Sequence, residues 1–291
     1  MTILYEKIAR DKELLTTERI SKYNKWTEDA EKARKTSHSL EATDNQYDKA
    51  EELITFYTFA PLEHEKTPEQ VKLETIQEIL RCVNINETLK EATLHFERDL
   101  EPPLEYLEWL KAEVIYHPIR YIREQAQERI KSEEQLEGPT QVDAVIDTDR
   151  FLILIEVKFT SDISPSTKFG LIRNQIARLI DVGISKVKKM QNNKKDAKLI
   201  VLCCTPHDLF HKRSRFYYYK MQEYSDPLKT IQDIPWRTLY EINKSLEKVA
   251  WISLEKIIEI IYRNTREYLN PDEFKEAAEF FIERKLWSFP E

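Results

Sequence analysis

The stretch Gln141-Val-Asp-Ala-Val-Ile-Asp-Thr-Asp-Arg150, continued by Phe151-Leu-Ile-Leu-Ile-Glu-Val-Lys-Phe-Thr160, decides how the chain is read. Its opening residues alternate polar and apolar, the period of a strand with one covered face. Its second part is β-branched and aromatic, and Phe151 to Ile155 is apolar throughout. An unbroken run of that kind suits a strand buried on both faces. Thr148-Asp149-Arg150 supplies turn residues between the two parts. The pattern predicts a β-hairpin.

Glu156 and Lys158 stand two apart on the second strand, so both project from one face. That face would otherwise be buried, and an unpaired carboxylate or ammonium is costly there. A turn with an even number of residues, centred on Asp149-Arg150, sets Asp143 opposite Glu156. Directly opposed cross-strand residues lie about 4.5–5.5 Å apart at Cβ. Two carboxylates at that distance repel unless a cation lies between them. Magnesium fits, because it takes one or two carboxylates and completes its shell with water and phosphate oxygens; Mn2+ is a substitute of similar preference. Asp143 and Glu156 are therefore the expected metal ligands, with the Val157 carbonyl between the reactive side chains as a third. Such an ion stabilises charge on a phosphate and lowers the pKa of a bound water. Lys158 would position or deprotonate that water and offset phosphate charge. The competing reading is a solvated cluster of surface charges, which would contribute little. The apolar second strand argues against exposure.

Asp143 followed by Glu156-Val157-Lys158 on a hairpin resembles the PD-(D/E)xK nuclease superfamily of restriction endonucleases, Holliday-junction resolvases and RecB-type exonucleases. The resemblance covers about Pro103 to Tyr240. Val142 stands where the motif name has proline, a position that varies in the family. The resemblance implies that Asp143 and Glu156 bind magnesium and that Lys158 assists the nucleophile. It also implies a glutamate from the helix before the hairpin, for which Glu108 is chosen because it borders an apolar stripe beside Leu104 and Ile115. It further implies a glutamine after the lysine strand, matched by Gln175 in Arg173-Asn-Gln-Ile-Ala-Arg178. A solvated helix face is the competing reading for each.

Composition bounds the alternatives. With 291 residues and a 41% hydrophobic share, the chain can build one large core or two small ones. No apolar run approaches the length of a membrane span, and Met1-Thr-Ile-Leu-Tyr-Glu-Lys7 lacks the pattern of a signal peptide; a cytoplasmic location is expected. The three cysteines, Cys82 and the adjacent Cys203-Cys204, suit neither a zinc site nor a disulfide framework. They read as buried thiols. Three glycines, Gly138, Gly170 and Gly183, cannot build a Gly-rich phosphate loop. The net charge of −7 argues against indiscriminate coating of nucleic acid, although local positive charge is what matters. Lys186, Lys188, Lys189, Lys194, Lys195 and Lys198 gather before or at a third strand, and His211-Lys-Arg-Ser-Arg215 leads into Phe216-Tyr-Tyr-Tyr219. These could hold phosphates and stack on bases, or form a solvated basic face. His207, after Thr205-Pro206, could approach the site.

Along the rest of the chain, residues 1–100 read as a helical N-terminal region with no clear strand, with a loop near Ser37 to Asn45 and a helix capped by Thr67 before Pro68. Residues 101–245 form the nuclease-like core. It holds helices from Pro103 to His117 and onward to Lys131, the hairpin, a helix from about Lys168, and a buried strand at Ala197 to Cys204. Residues 246–291 read as C-terminal helices, Ser253 to Leu269 and one capped by Asn270 with Pro271 at its first position. The expected fold class is mixed α/β: a restriction-endonuclease-like central mixed sheet flanked by helices. The expected function is magnesium-dependent hydrolysis of DNA phosphodiesters by an endonuclease acting in restriction, defence or repair. A homodimer would suit a double-strand cutter. The alternative is a catalytically inactive nucleic-acid-binding or protein-interaction module that retains the fold.

Overall fold

The computed structural model describes residue 9 and residues 14–36, 51–194, 196–210 and 215–287. The loop expected near Ser37 to Asn45, Lys195 and the segment His211 to Ser214 lie outside them. In chain order the elements are helices α1 (Thr17–Thr36), α2 (Glu51–Phe59) and α3 (Glu69–Cys82), strand β1 (Ala92–Leu100), helices α4 (Leu104–Glu113) and α5 (Arg120–Lys131), then the hairpin β2 (Thr140–Thr148) and β3 (Phe151–Val157). Helix α6 (Gln175–Met190) leads to β4 (Lys198–Thr205), followed by α7 (Phe216–Glu223), α8 (Pro227–Asp233), α9 (Leu239–Ser245), β5 (Leu246–Ser253), α10 (Leu254–Thr265) and α11 (Pro271–Glu283).

The five strands form one mixed sheet in the order β1-β2-β3-β4-β5. β1, β2 and β3 pair antiparallel, and β4 and β5 add on in parallel. Parallel neighbours need a crossover, which α6 provides between β3 and β4 and α7 to α9 provide between β4 and β5. The hairpin forms in the expected register, Asp147 opposite Leu152 and Ala144 opposite Ile155. Its turn is closed by the Thr148 hydroxyl, which accepts from the Arg150 and Phe151 amides.

Alternate residues of each strand feed two different cores. Ile153, Ile155, Ile200 and Leu202 pack with α2, α3, α10 and α11 on one face. Leu152, Leu154, Leu199 and Val201 pack with α6, α7 and α9 on the other. β3 is buried along its whole length, as its unbroken apolar run requires. Gly183 lets α6 lie close to the sheet, because a Cβ there would stand 2.5 Å and 2.7 Å from the two Leu199 methyls.

Several expectations are corrected. The N-terminal hundred residues are not wholly helical: Ala92–Leu100 is an edge strand, and its short alternating pattern is broken by charge at Glu97-Arg98-Asp99. The ladder is interrupted at Glu97, whose φ of 46° is uncommon outside glycine and whose side chain pairs with Arg19. Residues 246–253 form strand β5 before the C-terminal helices begin. Helix α6 starts at Gln175, not Lys168, because Asn174 caps it by accepting from the Ala177 amide. Pro68 rather than Thr67 precedes α3 as its cap, while Thr67 donates back to the Pro61 carbonyl. The Asn270 cap forms as expected, in a reciprocal capping box with Glu273. Cys203 and Cys204 are buried, but Cys82 is exposed. No helix among the described residues is long and apolar enough to cross a membrane.

Candidate functional site

At the carboxyl end of β3, beside the start of β2, the sheet opens into a cleft of about 620 Å³, bordered by Glu51, Asp143, Glu156, Lys158, Gln175 and Arg178. Ligands in α/β sheets commonly bind beyond the carboxyl ends of parallel strands. The hairpin delivers Asp143, Glu156 and Lys158. One step past the Ala144–Ile155 pair, the ladder sets Asp143 across from Glu156, on the face that packs against α6. Asp143 Oδ2 accepts from the Val157 amide at 2.7 Å. Lys158 continues the ladder by donating its amide to Cys204 and turns its side chain back, so that Nζ lies 2.7 Å from Glu156 Oε1. Glu156 is 1% exposed and Lys158 7%, which excludes the solvated surface cluster.

The charges in this cleft perturb one another. Burial pushes the Asp143 carboxyl well above the usual carboxylate range, and the Glu156 charge adds to the rise. Burial also raises Glu156, against the pull of Lys158. For Lys158, burial works against the ammonium, but Glu156, Glu51 and Asp143 outweigh it and raise its pKa. The lysine is held charged.

Two further side chains complete the constellation. Gln175, at the start of α6, donates its amide to Glu156 Oε1 and accepts from the Ser164 amide at 3.3 Å. The structure thus brings Gln175, one of the expected site residues, to the Glu156 carboxylate. Glu51, at the first turn of α2, was not anticipated. Its carboxylate takes Lys158 Nζ at 3.0 Å, the Phe159 amide at 2.9 Å and the Ser161 hydroxyl at 2.6 Å. The signal for it was a carboxylate pair, Glu51-Glu52, opening an apolar helical segment; its distance from the hairpin in sequence hid the connection.

Glu108 is not brought to the site. Its side chain is 72% exposed and pairs with Lys111 at 2.8 Å. The stripe that suggested it was misread: α4 buries Tyr106, Leu107 and Leu110, while Leu104 and Ile115 stand 76% and 49% exposed. The same face that carries Leu104 carries Glu108 outward, one turn on.

The lysine cluster is also displaced from the site. Lys186 is eleven residues beyond Gln175 on α6, roughly 16 Å along the axis at 1.5 Å per residue. Lys188, Lys194 and Lys198 are engaged by Glu241, by Glu91 and Asp147, and by Glu247 respectively. Of the aromatic run on α7, Tyr217 is buried and Tyr219 is 48% exposed. His207 lies beside Asp208 and Trp251 rather than in the cleft.

The segment carrying Gln175 is anchored by a buried ionic network. Arg173, fully buried, places Nη1 2.6 Å from Asp181 Oδ2 and Nε 2.9 Å from Glu137 Oε1. Its guanidinium lies 3.6 Å from the centre of the Tyr106 ring. Asp181 Oδ1 accepts from Arg237 Nε at 2.7 Å and from Trp236 Nε1 at 3.0 Å. Two guanidinium groups thus face two carboxylates, and Arg173 is held there two residues before Gln175.

The donor set bears on a cation. Glu156 Oε2 is buried and has no hydrogen-bond partner, an arrangement that is costly unless a ligand satisfies it. With the Asp143 carboxyl beside it, that orphaned oxygen fits a hard divalent ion taking two carboxylates. Among the described residues no group of three or more His, Cys, Asp or Glu side chains is placed to hold a metal ion. The Val157 carbonyl, expected as a third ligand, accepts from Lys158 Nζ at 3.3 Å. Comparisons with protein-family models, with curated proteins and with solved structures find no match for this chain.

Proposed function

We propose that this chain is a magnesium-dependent nuclease that hydrolyses DNA phosphodiester bonds, an endonuclease built on a restriction-endonuclease-like core. The observation that carries the reading is the convergence of Asp143, Glu156, Lys158, Gln175 and Glu51 on one cleft, with a buried, unpartnered oxygen on the Glu156 carboxylate that lines it. Binding alone does not need this set of side chains, which favours the enzyme over an inactive module. Asp143 and Glu156, with the Val157 carbonyl, are the residues that would hold magnesium; when bound, that ion supplies a Lewis acid for the phosphate and a water of lowered pKa.

The remaining roles belong to the chain itself. Lys158, held as an ammonium by three carboxylates, donates to developing charge on the phosphate; this suits positioning better than proton abstraction. Glu51 fixes the Lys158 side chain and the following Phe159 amide. Gln175 fixes the orientation of the Glu156 carboxylate. A preorganised donor such as the Lys158 ammonium contributes about 10²–10³ in rate.

The test is plasmid DNA with purified protein and Mg2+, alongside Asp143→Ala and Lys158→Ala. Wild type should nick or linearise the plasmid, EDTA should stop it, and each substitution should lower the rate by about 10² or more. Cleavage unaffected by both substitutions would overturn the assignment. Salt-dependent binding without cleavage would favour the inactive module. A restriction, defence or repair role and a homodimer are part of the same proposal; analytical ultracentrifugation and a panel of linear, branched and single-stranded substrates address them.

A further inference from the structure

Arg178 borders the cleft from α6, three residues beyond Gln175 and so on the same side of the helix. Its charge is felt by Glu156, yet among the described residues its side chain makes no ion pair and no hydrogen bond. Its Nε is buried and unpartnered. Four other basic groups around this half of the sheet are ion-paired, although Arg173 also keeps a buried Nη2 without a hydrogen bond. Arg173 and Arg237 close on Asp181, Lys158 on Glu156 and Glu51, and Lys220 on Asp233. A guanidinium kept partly out of water without a partner is unfavourable in the empty protein, and an arriving anion would relieve it. Its planar fork matches a phosphate through two parallel hydrogen bonds, a geometry that lysine does not offer.

We infer that Arg178 is the phosphate-binding residue of the cleft, gripping a phosphodiester of the nucleic-acid strand whose cleavage is proposed above. The inference deepens that reading and rests on it for the identity of the strand. It also explains how a protein of net charge −7 can hold a polyanion in a cleft rich in carboxylates. The positive charge that matters is a guanidinium inside the site, not the lysines at the far end of α6.

The test is binding of a short fluorescein-labelled DNA duplex, followed by anisotropy across a salt series, in EDTA and again in Ca2+. Wild type, Arg178→Ala and Arg178→Lys are compared, with urea unfolding of each. Arg178→Ala should weaken binding about tenfold or more, as expected for a charge-assisted contact. The slope of log K against log[salt] should become shallower by about 0.9, the loss of one phosphate contact. Arg178→Lys should restore the slope but only part of the affinity, because the charge returns without the fork. Arg178→Ala should unfold at the wild-type urea concentration or above, since no intramolecular partner is lost; a merely structural arginine would lower that midpoint and leave the slope alone. An unchanged salt slope, or no duplex binding by wild type in either condition, overturns the inference. Arg178-dependent binding by a protein that never cleaves keeps the phosphate site and removes the nuclease reading. Cleavage with an Arg178-independent slope does the reverse.

Discussion

Replacing Asp181 with asparagine tests the ionic network that anchors the start of α6. Four ionised groups are buried there in balance, Arg173 and Arg237 against Asp181 and Glu137. In Asp181→Asn the amide oxygen can still accept from Arg237 Nε and Trp236 Nε1, which share Oδ1. The amide nitrogen then faces Arg173 Nη1, so a 2.6 Å ion-pair contact becomes donor against donor. The site also gains a net buried positive charge. Breaking a buried pair by removing one partner costs about 3–5 kcal/mol, a large part of the roughly 5–15 kcal/mol that holds a domain together. At a urea m-value near 3 kcal/mol/M this moves the midpoint down by about 1–2 M. The double variant Arg173→Met/Asp181→Asn leaves Arg237 and Glu137 balanced, and should be more stable than the sum of the single effects by at least about 1 kcal/mol. Urea unfolding followed by tryptophan fluorescence is the assay, since Trp236 touches the network. A single-variant loss below about 1 kcal/mol, or strict additivity in the double variant, would refute the argument that charge balance is what this network supplies.

Gly183→Ala gains about 1 kcal/mol of helix propensity but drives a methyl into both Leu199 methyls, for about 1–3 kcal/mol; urea unfolding should show a net loss, and a gain would mean that α6 does not lie as close as described. Glu241 is held at about 2, because hydrogen bonds from Lys188 and Thr238 outweigh the upward push of burial. A depressed folded pKa gives stability that is present above the unfolded value of 4.5 and lost as pH falls toward about 2. Glu241→Gln should therefore lower the melting temperature near neutral pH and converge with wild type near the lower limit of that window; an equal deficit at both pH values would refute the linkage. In the plasmid assay Glu51→Ala should slow cleavage by about 10², whereas Glu108→Ala should leave both rate and stability within error, as an exposed ion pair implies. The reverse order would reinstate the reading that placed Glu108 in the site.

How much of this was legible depended on the range of the interaction. The hairpin was, because period, turn residues and a run of five apolar side chains act over twenty positions. Strand parity then placed Asp143, Glu156 and Lys158 on one face without any knowledge of the rest. Gln175 was singled out only through the resemblance, on a helix expected to start near Lys168; its place as the first residue after the Asn174 cap came from the structure. β1 and β5 escaped notice because edge strands carry charge and half-exposed faces that blur their period. Glu108 misled for a related reason: α4 has mixed apolar residues on two sides, and sequence alone did not tell which side was covered. The role of Glu51 depends on how α2 docks, which no local pattern encodes.

That docking has a consequence for the chain as it is made. Glu51 and Lys158 are separated by 107 positions, and α6 with its Gln175 follows later still. At about 5–20 residues per second of synthesis, the carboxylate waits on the order of 5–20 s for the lysine it will orient. Until β3 has emerged and β4 has come to lie beside it, the growing polypeptide carries single acidic and basic side chains with no shared cleft. Assembly of the candidate site is thus timed by translation: the cleft takes shape only after the ribosome has passed the third and fourth strands and the helix between them.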